Sequence, residues 1–171
     1  MTELPKPRPV HEVLATSDDT TFAIELSNLV FYREAAIGFE KLTDAEKTAF
    51  LIDQLEREVN NGGFIQFFTN SSGDHAGETP TALRSIGADQ MAGIVEEALV
   101  PFEWVGPSSD PQVRSEQLDQ LGEAAEAVWS ECDSKFYEYP ENLAGLLRTF
   151  VAAHQQEFGP PIPPDPGLFT K

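Results

Sequence analysis

The residue types needed for nucleophilic catalysis occur within five positions of one another: Ser71, Ser72, Asp74 and His75. A serine nucleophile needs a histidine base and a carboxylate held in a fixed spatial arrangement, and neighbours in sequence cannot usually orient one another in that way. The glycine-containing elbow that displays a nucleophilic serine does not surround either serine. The same residue types also form turns and helix caps by bonding to nearby amides. We therefore expect no catalytic residue here.

Metal and cofactor chemistry receives equally little support from the spacing of ligand residues. His11, His75 and His154 are far apart, and neither a His-x-x-x-His nor a Cys-x-x-Cys pattern occurs. The single cysteine, Cys132, continues an apolar helical stripe, which favours burial over reactivity. Gly62-Gly63 lacks the lysine of a phosphate-binding loop. We therefore expect neither a metal nor a cofactor.

The polar residues lie in a segment that helix periodicity alone does not explain, residues 60–74, which we call the corner segment. A glycine pair interrupts a helical pattern, a dense phenylalanine cluster follows, and Asn, Ser, Gly and Asp then interrupt the chain again. Two breaks around an apolar cluster predict a sharp corner buried among helices. We expect its structural residues to be Asn60, Asn61, Gly62, Gly63, Phe64, Gln66, Asn70, Ser72, Gly73 and Asp74.

Apolar residues at alternating three- and four-residue steps predict helices on both sides of the corner segment. The helix before it covers residues 44–60, since Thr43 and Glu46 form a capping box and the glycine pair ends it. Later helices are expected to begin with caps at Thr79, Asp89 and Asp110, and the last with Pro140. The longest should run from Asp110 to Cys132 or beyond. We also expect both tryptophans, Trp104 and Trp129, to pack against other residues.

These patterns predict a single compact all-α domain of six or seven helices. Period-two alternation, the mark of a strand, is not sustained anywhere in the sequence. The expected organisation is an N-terminal arm at residues 1–17, a helical domain at 18–159 and a Pro-rich C-terminal tail at 160–171. Proline density predicts that the C-terminal tail is extended or packed as a strap. The Pro-rich N-terminal segment is expected to be an arm or a mobile lead-in.

The amino-acid composition of the chain limits the classes of partner that it can bind. The chain has 171 residues with a formal net charge of −18 and one cysteine. Such an excess of negative charge repels nucleic acids and anionic membranes and favours basic partners. With one cysteine we expect no intrachain disulfide, and we expect neither a signal peptide nor a membrane span of ~20 apolar residues. We therefore expect a cytoplasmic protein that binds neither nucleic acid nor membrane directly.

Acidic residues recur at helical spacing beside the apolar stripe of the longest predicted helix. Helical rise separates successive members by about 5 Å, whereas duplex DNA carries one charge per roughly 1.7 Å of axis. One such stripe is too sparse to imitate both strands, so imitation needs a second acidic element or a second subunit. The alternative is an ordinary solvated helix face. The candidate partner-binding residues are Glu96, Glu97, Glu116, Asp119, Glu123 and Glu126.

The run from Glu58 to Gly73, with Asn60-Asn61-Gly62-Gly63-Phe64 at its centre, resembles the signature of a family catalogued as a domain of unknown function. Its characterised example is a dimeric bacterial DNA-mimic protein. The similarity covers roughly residues 42–154. The resemblance implies an all-helical fold, a homodimer, and binding of a DNA-binding protein through carboxylates that imitate phosphates. Further matching positions are Ala82–Ala88, Leu118–Leu121, Asp133, Phe136, Tyr137, Leu146 and Leu147.

The main hypothesis is therefore an acidic, non-catalytic interaction protein, a DNA mimic that binds a basic DNA-binding protein or regulator. A small-ligand-binding protein or hydrolase with a polar cleft at residues 61–75 is one alternative. That alternative requires Asn61, Gln66, Asn70 and Asp74 to face one concave pocket. An immunity- or antitoxin-like protein is the other alternative, and it would use the same acidic surface.

Overall fold

The structure is a computed structural model that describes residues 6–164. Within that range the chain forms seven α-helices and no β-strand, so the predicted all-α fold with six or seven helices is confirmed. Short 3₁₀ segments lie at Phe39–Lys41, Ser71–Glu78, Val100–Val105 and Gln155–Glu157. The helices are α1 (Val10–Leu14), α2 (Asp19–Ile37), α3 (Asp44–Thr69), α4 (Thr79–Ser85), α5 (Asp89–Leu99), α6 (Pro111–Tyr137) and α7 (Leu143–Ala153).

The chain divides into two compact units. The first unit comprises Met1–Phe50 and Ala144–Lys171, and the second comprises Leu51–Leu143. Helix α3 begins in the first unit and ends in the second. The division into arm, helical domain and tail inferred from the sequence stays a prediction.

A buried ion pair joins α2 to the start of α3 within the first unit. Arg33 Nε donates to Glu46 Oε1 at 2.6 Å, and the Glu46 side chain is fully buried. Glu46 Oε2 also accepts from the Thr43 amide at 3.1 Å, while the Thr43 hydroxyl accepts from the Glu46 amide at 3.2 Å. The predicted capping box is therefore present, and its glutamate additionally neutralises a buried arginine.

The same ion pair holds the beginning of the Pro-rich tail. The Gly159 amide donates to Glu46 Oε1 at 2.8 Å, and Arg33 Nη1 donates to the Pro160 carbonyl at 2.7 Å. A Cβ atom at residue 159 would collide with the guanidinium of Arg33, so any other residue there would displace this buried group. The rest of the tail, residues 165–171, lies outside the described residues.

The predicted N-terminal arm contains a short helix that the sequence analysis missed. Helix α1 spans only five residues, too few for periodicity to be visible, yet its Val10 and Val13 are buried. Arg148 of α7 fixes the connection that follows, because its guanidinium donates to the carbonyls of Leu14, Thr16 and Asp18.

Of the three caps predicted after the corner segment, two are wrong and one is confirmed. Asp110 accepts from the amides of residues 112 and 113, as expected of an N-cap. Thr79 lies inside the first turn of α4, and its buried hydroxyl has no hydrogen-bond partner among the described residues.

Asp89, the predicted cap of α5, makes no capping bond. The distant Glu141 caps α5 instead, by accepting from the amides of Gln90 and Met91. Helix α7 begins three residues after Pro140, the predicted start.

Replacing Gly159 with alanine should destabilise the protein. The added methyl group displaces the Arg33 guanidinium from a buried, fully bonded position, and overpacking of this kind costs about 1–3 kcal/mol. Urea unfolding of the variant measures this loss. Gly93→Ala is the matched control, since its Cβ would meet nothing within 4 Å inside helix α5. The control should be neutral or more stable by about 0.5–1 kcal/mol. Equal stability of Gly159→Ala and the natural protein would contradict this account.

Candidate functional site

The glycine pair of the corner segment breaks α3 as predicted. Gly62 and Gly63 leave the helical conformation, and Gly63 takes a φ of +74° that side chains other than glycine rarely adopt. The helix resumes at Phe64, whose amide donates to Asp133 Oδ1 of α6 at 2.7 Å. Asp133 therefore caps the restarted helix from a position 69 residues away along the chain.

The phenylalanines of the corner segment form the core of the second unit. Phe64, Phe67 and Phe68 are at most 1% exposed. The ring of Phe68 lies 4.9 Å from that of Phe102 and 5.4 Å from that of Trp129. Trp129 is buried, as predicted, and its indole nitrogen donates to the Ala98 carbonyl at 2.8 Å. The phenylalanines of the corner segment therefore pack the interior of this unit.

Arg114 is the largest fully buried side chain, and the sequence analysis did not single it out. Its guanidinium donates to the carbonyls of Phe68 (2.7 Å), Asn70 (3.1 Å) and Ser108, and to Asp74 Oδ1 at 2.6 Å. A Cβ at Gly73 would collide with both the Arg114 side chain and the Phe68 carbonyl. The sequence does contain one indication that Arg114 is buried. The residue lies four positions before Leu118 and therefore extends the apolar stripe of α6.

Several polar side chains in and beside the corner segment are hydrogen-bonded to nearby side chains or to backbone. Glu58 accepts from both Gln66 (2.8 Å) and Asn70 (2.7 Å). The Ser72 hydroxyl donates to the Phe67 carbonyl at 2.7 Å. His75 contacts Glu78 at 3.1 Å, and Asp74 bonds Arg114. Serine, aspartate and histidine thus have separate partners, and these bonds do not favour the predicted polar cleft at residues 61–75.

Asn60 and Asn61 precede the glycine pair and were predicted to be structural residues of the corner segment. Both are exposed. Asn60 Nδ2 donates to the hydroxyl of Tyr139, and the neighbouring Tyr137 hydroxyl donates to the Val59 carbonyl at 2.7 Å. These bonds tie the end of the first α3 segment to the C-terminal end of α6 and the residues that follow it.

Groups capable of reactive chemistry are few in the described chain. Residues 6–164 contain no cluster of three or more histidine, cysteine or acidic side chains arranged to hold a metal. Cys132 is buried, and burial raises the pKa of its thiol to about 11. At neutral pH it is therefore a protonated, apolar core residue.

None of the described helices is long and apolar enough to cross a membrane.

Negative charge is concentrated in the second unit. Residues 51–143 hold 18 acidic and four basic side chains, a net charge of −14 out of −18 for the whole chain. All four cations of this unit are in ion pairs: Arg57 with Asp53, Arg84 with Glu96, Arg114 with Asp74, and Lys135 with Glu97. The other carboxylates in this unit therefore have no basic side chain left to neutralise them.

Two predicted partner-binding residues are already paired with cations. Both oxygens of Glu96 accept from Arg84 at 2.7 Å, and this pairing lowers the pKa of Glu96. Both oxygens of Glu97 accept from Lys135, at 2.7 and 2.6 Å. These carboxylates keep their positions on the surface of α5, but an adjacent cation offsets the charge of each.

The other four predicted residues are exposed and unpaired. Glu116, Asp119, Glu123 and Glu126 make no hydrogen bond or ion pair with any described residue. Gly122 separates them into two pairs, because its φ of +59° and ψ of −155° interrupt the helical conformation of α6. The prediction of one uninterrupted helix is therefore wrong at this position, and an even spacing of about 5 Å does not extend across the break.

One acidic residue of this unit differs from the rest. Glu56 is partly buried near the Asp53 carboxylate, and burial followed by repulsion from Asp53 raises its pKa to about 7. It is therefore partly protonated near neutral pH. Burial likewise raises the pKa of Asp133, while its bond from the Phe64 amide acts in the opposite direction.

Fold and charge together define an all-α protein whose second unit presents unpaired carboxylates. The sequence model of the family described as DMP19-like protein matches residues 40–154. The chain belongs to this family, so the resemblance inferred from the Asn-Asn-Gly-Gly-Phe signature is confirmed. No curated protein matches the chain significantly, and no solved structure does.

Replacing Arg114 with methionine should strongly destabilise the protein. The substitution leaves Asp74 and three carbonyls without their buried donor, and breaking a buried pair in this way costs about 3–5 kcal/mol. Arg114→Lys should lose less, because it keeps the charge but not the planar fork. Arg57→Met, at an exposed ion pair, should change stability by less than about 1 kcal/mol. Chemical denaturation measures all three variants. Similar losses for Arg114→Met and Arg57→Met would contradict this role.

Replacing Glu56 with glutamine should remove a pH dependence of stability. The folded pKa of Glu56, about 7, exceeds the ordinary value of 4.5, so its contribution is fully present below pH 4.5 and is lost as pH rises through 7. Above pH 8 the variant should therefore be more stable than the natural protein, by roughly 2–3 kcal/mol. Thermal unfolding between pH 4.5 and 8.5 measures the difference, with exposed Glu126→Gln as control. A difference that is constant with pH would contradict the burial of Glu56 as its cause.

Proposed function

We propose that this protein is a non-catalytic DNA mimic that binds a basic DNA-binding protein or regulator in the cytoplasm. The observation that carries the proposal is the net charge of −14 on residues 51–143, where every cation is held in an ion pair. Membership of the DMP19-like family supports it independently. A basic surface that accepts phosphates can accept such carboxylates, since both present oxygen anions to arginine and lysine.

The break in α6 at Gly122 supports DNA mimicry, because it divides what would otherwise be one uniform stripe of charge. A duplex presents phosphates along two strands, at one charge per roughly 1.7 Å of its axis. Glu116 and Asp119 precede Gly122, and Glu123 and Glu126 follow it, so the acidic residues occupy two helical segments. Exposed Glu131 and Glu138 extend the second group along the same part of the chain.

The proposal includes a homodimer, as the family resemblance implies. Two copies would double the number of unpaired carboxylates and supply the second acidic element that a two-stranded charge pattern requires. Multi-angle light scattering of the purified protein measures the mass in solution. A monomeric mass at micromolar concentration would contradict the homodimer, and a single chain would then have to imitate DNA by itself.

A pull-down with the immobilised protein at low salt tests the proposal. The recovered partner should be a DNA-binding protein, and short duplex DNA should release it, because the two ligands compete for one basic surface. Recovery of a basic toxin that does not bind DNA would favour the immunity- or antitoxin-like alternative. Release by salt but not by duplex DNA would argue against mimicry.

Neutralising Glu116 and Asp119, as Glu116→Gln with Asp119→Asn, should weaken binding of the recovered partner. Exposed charge pairs contribute about 0.2–1 kcal/mol each, so the affinity should fall roughly 3–20-fold, mainly through slower association. Surface plasmon resonance at several salt concentrations measures the change. The matched control, Glu25→Gln with Asp44→Asn, removes the same charge from the first unit and should have a smaller effect. Equal effects of the two double variants would assign the attraction to net charge alone.

A further inference from the structure

Trp104 is the most exposed large apolar side chain of the described chain, at 92%. The sequence analysis expected it to pack, as Trp129 does, and that expectation is wrong. Val100 and Val105 on the same 3₁₀ segment are each 65% exposed, and Val113 in the first turn of α6 is 47% exposed. Single exposed aliphatic residues are ordinary, but an almost fully exposed tryptophan with exposed valines around it in sequence is typical of a recognition surface.

The residues on either side of Trp104 are firmly held. Phe102 is 5% exposed and packs against Phe68 and Trp129. On the other side, Gln117 donates to the Gly106 carbonyl at 3.1 Å and accepts from the Ser108 amide at 2.8 Å. The indole is therefore displayed on a short segment fixed at both ends, which lowers the entropy lost when a partner binds.

The backbone next to Trp104 is strained. Glu103 has a φ of +54° and a ψ of −151°, a region that residues other than glycine rarely occupy. Such a conformation costs of order 1–3 kcal/mol and persists only where the surrounding structure imposes it. The packing of Phe102 and the two Gln117 bonds hold the chain on either side of residues 103–105, and the indole is exposed rather than packed in the core.

The charges around this segment indicate what could cover it. Exposed Glu103 adjoins Trp104, and α6, which holds the segment through Gln117, carries exposed Glu116 and Asp119. A second copy of this chain that placed its own second unit on this surface would bring that unit's net charge of −14 towards these acids, and the two units would repel each other. A cationic side chain is attracted both by these acids and by the face of the indole ring, the strongest of the aromatic faces for a cation.

We propose that Trp104 is an aromatic contact point for an arginine or lysine of the basic partner, with Val100, Val105 and Val113 packing against the aliphatic part of that side chain. The inference rests on the proposed function and adds to it a specific, non-phosphate-like contact. A surface that only imitated phosphates would bind through charge alone and would gain nothing from an indole.

A fluorescently labelled deca-arginine peptide is the probe, and its anisotropy at low salt gives the affinity. Trp104→Ala should weaken binding about 3–10-fold without changing the salt dependence, because no charge is lost. Trp104→Phe should lie between the two. Ile65→Ala, also exposed in the second unit, is the control and should bind as the natural protein does. Circular dichroism establishes that each variant is folded.

The outcomes separate this inference from the function on which it rests. If Trp104→Ala binds the peptide as tightly as the natural protein, the aromatic contact is refuted while acidic binding stands. If the natural protein does not bind the peptide at low salt, both fail. If Trp104→Ala instead converts a dimer into a monomer in sedimentation velocity, the surface belongs to a second copy, and a cationic occupant is excluded.

Discussion

The buried guanidinium of Arg114 is the interaction on which the second unit depends. A charge removed from water must be paired and fully hydrogen-bonded, and Arg114 meets this requirement through Asp74 and three carbonyls. Those acceptors lie in the corner segment and in the residues preceding α6, so satisfying one side chain fixes both regions. Gly73 is required because a side chain there would occupy the space of the guanidinium.

The small number of cations also determines the charge of the surface of this unit. The second unit has four basic side chains, and every one of them is used in an ion pair, of which only that of Arg114 is buried. The remaining acids have no cation to offset them, and their mutual repulsion opposes folding. Burial of phenylalanines 64, 67 and 68 supplies the opposing apolar stabilisation. Glu56 reduces the repulsion further, since its raised pKa keeps part of the population neutral near pH 7.

Much of the local structure could be predicted, and two of the errors, at Asp89 and Trp104, have a common cause. The Thr43–Glu46 capping box and the Asp110 cap follow from neighbouring residues and are confirmed. The cap of α5 was assigned to Asp89, whereas Glu141 provides it from far along the chain. Trp104 was expected to pack because tryptophan usually does, yet the residues fixed on either side of it leave it exposed. Both of these errors concern contacts between residues distant in sequence.

By itself, the sequence determined the all-α class, most helix positions, the family and the excess of negative charge. These properties depend on residue composition and on periodicity over short distances. Only the tertiary structure decided which carboxylates are paired, that Arg114 is buried, that Asp133 caps the helix resumed at Phe64, and that Gly122 divides the acidic residues of α6. Burial and pairing depend on atoms that folding brings together from distant positions, and a one-dimensional pattern carries no record of those distances.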